Sequence, residues 1–308
     1  MLTSFFGKSK PINFILLSCV LLVGWFMALY KSQVTTQPAI EIIKSIGVYI
    51  GILFLMLLLD FVLRKNDLAK NNTYGVFLFS FSIIALPVVF LDSTIVITAI
   101  LLLLSLRRIF SFSSERNIQK KILDASIYIT VAGLFYFYAL LFFIVLYIVL
   151  IRRISSGIKN LLIPVLGLAS VFVLTTAFYY VTEDSFVWFY NTYHAINLDF
   201  TTYNSISILI PLTIIATCVV WMGTKALVTL PVIPKKERPN KFLLVLVTIV
   251  SILIVLLPEI RTGSEILLLI PACAMLFSTY VEQSKELIFK EIILWIFLVL
   301  PIVTFLIS

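Results

Sequence analysis

Histidine, cysteine and charge are all scarce in this chain, and each scarcity removes a class of chemistry. There is one histidine, His194, so a metal cage needing two imidazoles cannot close and a Ser-His-Asp arrangement would have to use this residue. The three cysteines, Cys19, Cys218 and Cys273, each lie inside an apolar run, and no pair has metal-ligand spacing. That placement argues against both zinc and disulfides. Glycine-rich phosphate loops, HExxH and CxxC are absent, so the residues assign no metal site and name no cofactor. Charged residues are 12% of the chain, against about a quarter in soluble domains.

What fills the sequence instead is apolar: 61% hydrophobic residues in closely spaced runs without a long polar linker. This predicts an all-α, polytopic transmembrane helical bundle, with residues 1–308 as a single transmembrane domain and no separate soluble domain. Lys8 and Lys10 precede the apolar stretch Ile12 to Tyr30, as in a signal peptide. The stretch is too long for that, and Lys31-Ser-Gln-Val follows it rather than a small-x-small site, so a retained first helix is expected. The formal net charge is +8. The bases sit in short loops beside the spans, where membrane orientation accounts for them and no nucleic-acid partner is implied.

The region Arg107 to Arg153 sets the topology. An apolar run, Ile122 to Ile151, is bracketed by Arg107, Arg108, Arg116, Lys120 and Lys121 before it and by Arg152, Arg153 and Lys159 after it. Basic loops stay cytoplasmic, so the run must return to the side it left. A single helix of that length would measure about 45 Å against a hydrocarbon core of about 30 Å. A short hairpin follows: Ile122 to about Ala132 rising, a turn near Gly133 to Tyr138, and Ala139 to Ile151 returning, its tip packed within protein. Extending this logic gives about eleven membrane segments, a cytoplasmic N-terminus and an outer C-terminus, in the bacterial cytoplasmic membrane. All but Lys31, Lys44 and Arg261 of the 23 Lys and Arg residues then fall inside.

Cytoplasmic acids come with a base one turn away, Asp60 with Arg64, Asp124 with Lys120 and Glu286 with Lys290, which predicts ion pairs along single helix faces. The outer acids Asp92, Glu183, Asp184 and Asp199 have no Lys or Arg within four residues. Acids facing one arginine, Arg261, have the makings of a site that handles a phosphate; hydrated loops tolerate the same residues without any such role. Arg261 itself has two readings, an ion pair with Glu265 or Glu259, or a receptor for an anionic lipid or sugar phosphate. Trp188, Phe189, Tyr190, Tyr193 and Tyr203 suggest a short helix resting at the lipid headgroups.

The segments "SFSIIALPVVFLDSTIVITAILLLLSLRR", "LDASIYITVAGLFYFYALLFFIVLYIVLIRR" and "RTGSEILLLIPACAMLFSTYVE" together resemble the membrane core of the GT-C glycosyltransferases. The resemblance implies a GT-C-like layout and transfer from a polyprenyl-phosphate sugar at the outer face. It casts Glu41 and Asp92 as catalytic base or metal ligand and Arg261 as the group receiving the lipid phosphate, with Glu265, His194 and Asp199 as further substrate-binding residues. Those enzymes carry their catalytic acid in a long first outer loop, whereas Lys31 to Glu41 is short. The whole sequence is also similar to an uncharacterised bacterial integral-membrane family. The competing expectation is a non-catalytic membrane subunit or a lipid-binding or assembly protein. A transporter is disfavoured because charges away from span ends are nearly absent.

Overall fold

The computed structural model describes residues 2–32, 39–69, 72–113, 116–153, 159–184, 186–189, 196–197, 199–235, 237–283 and 286–307. Among them the regular elements are all helices, with one isolated bridge, Ile196 to Pro258. After a short α1 (Leu2–Phe6) come α2 (Pro11–Ser32), α3 (Ala39–Lys65), α4 (Tyr74–Ile84), α5 (Ser93–Phe110), α6 (Ile118–Phe135) and α7 (Phe142–Arg153). The second half holds α8 (Lys159–Glu183), α9 (Ile206–Thr229), α10 (Arg238–Leu256), α11 (Ile270–Gln283) and α12 (Leu287–Ile307).

Seven of these, α2, α3, α5, α8, α9, α10 and α12, are long and apolar enough to cross a membrane. The chain is a multi-pass membrane protein. The count of about eleven segments falls to seven because α4, α7 and α11 have only 11, 12 and 14 residues, and α6, though 18 residues long, carries Lys120, Lys121 and Asp124. At about 1.5 Å per residue α4, α7 and α11 reach about 16 to 21 Å, short of the hydrocarbon thickness. Of the short helices, α4 and most of α11 are kept inside protein, while α7 is buried on one face and exposes Ile144 and Ile151. Residues Tyr74 to Ile83 of α4 are all buried, and α4 packs on α11, where Gly75 lies against the Ala274 carbonyl and the Ser278 side chain. A side chain at position 75 would hold these helices apart.

Breaks in the helices follow from proline and glycine. The apolar stretch from Tyr74 to Phe90 does not form one helix: α4 stops at Ile84, Leu86 has φ −123° and ψ 75°, and Pro87 opens a separate 3-10 turn, Pro87–Leu91. Proline lacks the N–H and crowds the carbonyl four residues back, so the α-helix ends ahead of it. The expected hairpin turn falls at Tyr136, between α6 and a 3-10 turn, Phe137–Leu141, with Gly133 against Leu140. Beyond the turn the arms keep some contact with each other, but α6 packs mainly on α5 and α8, and α7 mainly on α10. The charge run before Lys241 is helical from Arg238, since Pro239 fits a first helical turn.

Ion pairing is only partly local. Asp60 pairs with Arg64 at 2.8 Å as its spacing predicts. Asp124 does not take Lys120; it pairs with Arg108 of α5 at 3.0 Å, because close α5–α6 packing puts a guanidinium from the neighbouring helix within reach.

Two polar clusters mark opposite ends of the bundle. At one end Thr73 donates to the Phe6 carbonyl at 2.9 Å, Tyr74 Oη to the Thr3 carbonyl at 2.8 Å, and Asn72 to Glu282 at 3.0 Å. At the other end Trp25 Nε1 donates to the Ser45 carbonyl at 3.1 Å, and the loop before α11 meets Asp92.

Candidate functional site

The loop Pro258 to Glu265 and the turn Pro87–Leu91 bring three of the predicted site residues together. Asp92 is the N-cap of α5: its Oδ1 accepts the N–H groups of Thr94 and Ile95, each at 3.1 Å. That use of Oδ1 satisfies two donors that every helix start leaves open. Its other oxygen, Oδ2, accepts Ser264 Oγ at 2.6 Å. Ser264 Oγ lies 2.7 Å from Thr262 Oγ1, which donates in turn to Glu265 Oε2 at 3.1 Å. Each hydroxyl has one proton, so Ser264 serves Asp92, Thr262 serves Glu265, and the two hydroxyls stand side by side between the carboxyl groups.

Glu265 is 2% exposed and is held from three directions. Oε1 accepts Tyr203 Oη at 2.5 Å; Oε2 accepts the Thr262 backbone N–H at 3.2 Å as well as its hydroxyl. A buried carboxyl needs such donors to offset its lost hydration. Burial, and then the nearby Glu265 carboxylate, push the Tyr203 phenol well above the ordinary tyrosine range. The loop reaches this arrangement through Gly263, whose φ of +90° lies where side-chain-bearing residues are strained.

Arg261 is 5% exposed and takes neither of the carboxylate partners foreseen for it. Nη2 donates to the carbonyls of Asn197 at 2.7 Å and Leu256 at 2.6 Å, and Nη1 donates to the Asp199 carbonyl. The guanidinium carbon lies over the Phe200 ring and near that of Tyr203, with centroids 4.1 and 5.8 Å away, a cation–π arrangement that suits a desolvated arginine. Nε is buried with no hydrogen-bond partner among the described residues. Asp199 enters the site through its backbone: its carboxylate is turned to the Thr201 N–H at 3.0 Å and is held below the usual range chiefly by that bond.

The remaining candidates fall elsewhere. Glu41, in the first turn of α3, forms an exposed pair with Lys44 at 2.8 Å. His194 lies outside the described residues. Among the described residues no group of three or more His, Cys, Asp or Glu side chains is placed to hold a metal ion. Tyr203, Thr262 and Ser264 are functional neighbours that residue type alone did not single out. The signal for Thr262 and Ser264 is the run Arg-Thr-Gly-Ser-Glu, polar residues about a glycine between two apolar helices, whereas Tyr203 reads only as an interfacial aromatic. Of the aromatic belt, Trp188 instead folds back on α8, stacking on Tyr179 at 5.7 Å and donating to Thr176 at 3.0 Å; Tyr203 is buried, and Tyr190 and Tyr193 lie outside the described residues.

A second feature lies between α9 and α12. There a groove of about 820 Å³ is lined by Ile210, Ile214, Ile292, Trp295, Ile296 and Val299, with Thr3 and Glu291 at one end. Its walls are apolar apart from that end, where Glu291 accepts the Thr3 hydroxyl at 2.7 Å.

Residues 1–308 match the model of a family described as "Family of unknown function (DUF6427)". No curated protein and no solved structure matches.

Proposed function

The chain belongs to the family of unknown function DUF6427, and from the geometry we propose that it is a non-catalytic membrane subunit that holds the tail of a membrane lipid in the groove between α9 and α12. The observation that carries this reading is the groove itself. Its volume lies within the range of about 300 to 1,000 Å³ typical of ligand clefts, its walls are apolar, and Thr3 and Glu291 supply polarity at one end. That is the profile of an amphipathic ligand. The Asp92–Glu265 cluster serves in this reading as a latch between loops, since both carboxyl groups and the terminal guanidinium nitrogens already have partners inside the protein.

The topology belongs to the same proposal. The end bearing α1 and the basic loops faces the cytoplasm, the Asp92–Arg261 end faces outward, and the short helices complete eleven passes in a bacterial cytoplasmic membrane. In support, Tyr74 at the start of α4 bonds to Thr3, while Ile84 at its end packs on Gly24, thirteen residues into α2. The test uses Trp295 as the sole tryptophan, with Trp25, Trp188 and Trp221 replaced by Phe. In bilayers containing brominated phospholipid, quenching should saturate well below the bulk mole fraction of quencher. Quenching that merely follows the bulk fraction sinks the groove as a site.

The second reading is an outer-face glycosyltransferase using a polyprenyl-phosphate sugar. One observation favours it: Asp92 and the loop of Arg261 lie in contact through Ser264. The pairing leaves Asp92 partly exposed, as a general base must be. Transfer to a supplied acceptor that depends on Asp92 would establish it.

A further inference from the structure

At the end of the bundle that carries the basic loops, a pocket of about 310 Å³ opens between α9, α10 and α11. Its polar wall comes from three helices: Lys225 and Thr229 of α9, Lys241 of α10, and Thr279 and Tyr280 of α11. Its floor is apolar, with Met222, Leu244 and Leu276. No part of the Asp92–Glu265 cluster or of the α9–α12 groove enters it.

The donors in this pocket are arranged for an anion. Lys225 Nζ sits 3.2 Å from Tyr280 Oη, and Trp221 Nε1 donates to the same oxygen at 3.2 Å. With its lone pairs so occupied, the Tyr280 hydroxyl keeps its own proton to donate. Lys225 also lies over the Trp221 and Tyr280 rings, at 5.9 and 5.0 Å, which fixes its stem without neutralising it. Lys241, its side chain 18% exposed, has Glu237 as a partner at 3.5 Å, and Glu237 is itself 59% exposed. A loose pair of this kind contributes little and is easily exchanged for a better anion.

The surroundings favour a lipid over a soluble anion. On the same helix Val220, Trp221, Leu227 and Val228 are exposed, and a multi-pass protein turns such apolar side chains to the bilayer. A pocket with ammonium groups at the rim, an aromatic residue beside them and hydrocarbon beneath, next to a lipid-facing surface, matches a headgroup phosphate above acyl chains. We propose that the Lys225–Lys241–Tyr280 pocket binds the phosphate of an anionic phospholipid. This site stands apart from the groove reading and would be present whether or not the chain is catalytic.

The experiment uses the full chain with Trp221 as the only tryptophan, in phosphatidylcholine nanodiscs carrying increasing phosphatidylglycerol. Trp221 emission should change saturably, and Lys225→Gln with Lys241→Gln should raise the half-saturating lipid fraction about tenfold or more. Lys8→Gln with Lys10→Gln, which removes two bases outside the pocket, should leave the curve in place. Four results overturn the proposal: no saturable change, a change that survives the pocket variants, an equal loss with the Lys8 and Lys10 variants, or the same change on adding inorganic phosphate to pure phosphatidylcholine. Since Lys→Gln at these positions removes charge and little volume, circular dichroism that matches the parent shows that any loss is one of binding.

Discussion

Ser264 Oγ donates to Asp92 Oδ2 across 2.6 Å, joining the start of α5 to the loop before α11 over 172 residues of sequence. Asp92 thus has two structural tasks, one on each oxygen. Asp92→Asn keeps the capping oxygen and should cost little, while Asp92→Ala loses the cap as well, about 1 kcal/mol or somewhat more. Thermal unfolding in detergent should therefore rank parent, Asn and Ala in that order. Were Asp92 a catalytic base, Asn and Ala would be equally inactive at normal stability, and that pattern would refute the latch.

Arg261 gives a sharper contrast. Its truncation removes the donor to the carbonyls of Asn197, Leu256 and Asp199, each bond contributing about 0.5 to 1.5 kcal/mol. Arg261→Ala should lower membrane abundance and melting temperature markedly, and Arg261→Lys should recover part, because one ammonium reaches fewer carbonyls than the planar fork. Full abundance of the alanine variant, measured by quantitative blotting of membranes, would contradict the caging role.

These two residues also show how far the sequence could be read. Apolar run length and basic loops reveal an all-helical, multi-pass membrane protein; Asp92, with no base within four residues, and Arg261, a base apart from the basic loops, are marked as unusual. The cage around Arg261 is invisible beforehand, because backbone carbonyls carry no residue code and Asn197 and Asp199 lie 64 and 62 positions away. For the same reason, spacing along α6 points Asp124 at Lys120, while the packed partner is Arg108 of another helix. Tyr203 reads as an interfacial aromatic until the fold turns its hydroxyl to Glu265.

Gly263 should tolerate no side chain. Its φ of +90° is strained for alanine, and the added Cβ would meet Ile208 Cδ1 at 2.9 Å. Gly263→Ala is expected to destabilise by about 1 to 3 kcal/mol, and Gly263→Ala with Ile208→Val should regain the steric part alone. Equal melting temperatures for the two would show that Ile208 does not limit the site.

Tyr203 predicts a pH dependence. Its phenol titrates above the ordinary value of 10.0 in the folded chain, so the folded state keeps the proton more tightly than the unfolded one. The stabilisation is complete below about pH 10 and is lost as pH rises through the folded value. Tyr203→Phe should be less stable than the parent near pH 8, with Glu265 short of a donor, and the gap should narrow in strongly alkaline buffer. A gap that stays constant with pH would mean that the phenol proton plays no part.

The pass count is open to a direct test, because seven and eleven passes disagree about the interior of the chain. With a cytoplasmic N-terminus, crossing only by the seven long helices puts Lys121 and Pro239 outside and Asp184 inside. If α4, α6, α7 and α11 also cross, all three positions are reversed. Either count leaves Ser308 outside, so a C-terminal reporter alone is uninformative. The seven-pass arrangement would also expose Arg107, Arg108, Arg116, Lys120 and Lys121 on the outer face, against the usual retention of bases. Sandwich reporter insertions are therefore expected to read cytoplasmic at Lys121 and Pro239 and external at Asp184, and a cytoplasmic signal at Asp184 would rule out the eleven-pass topology.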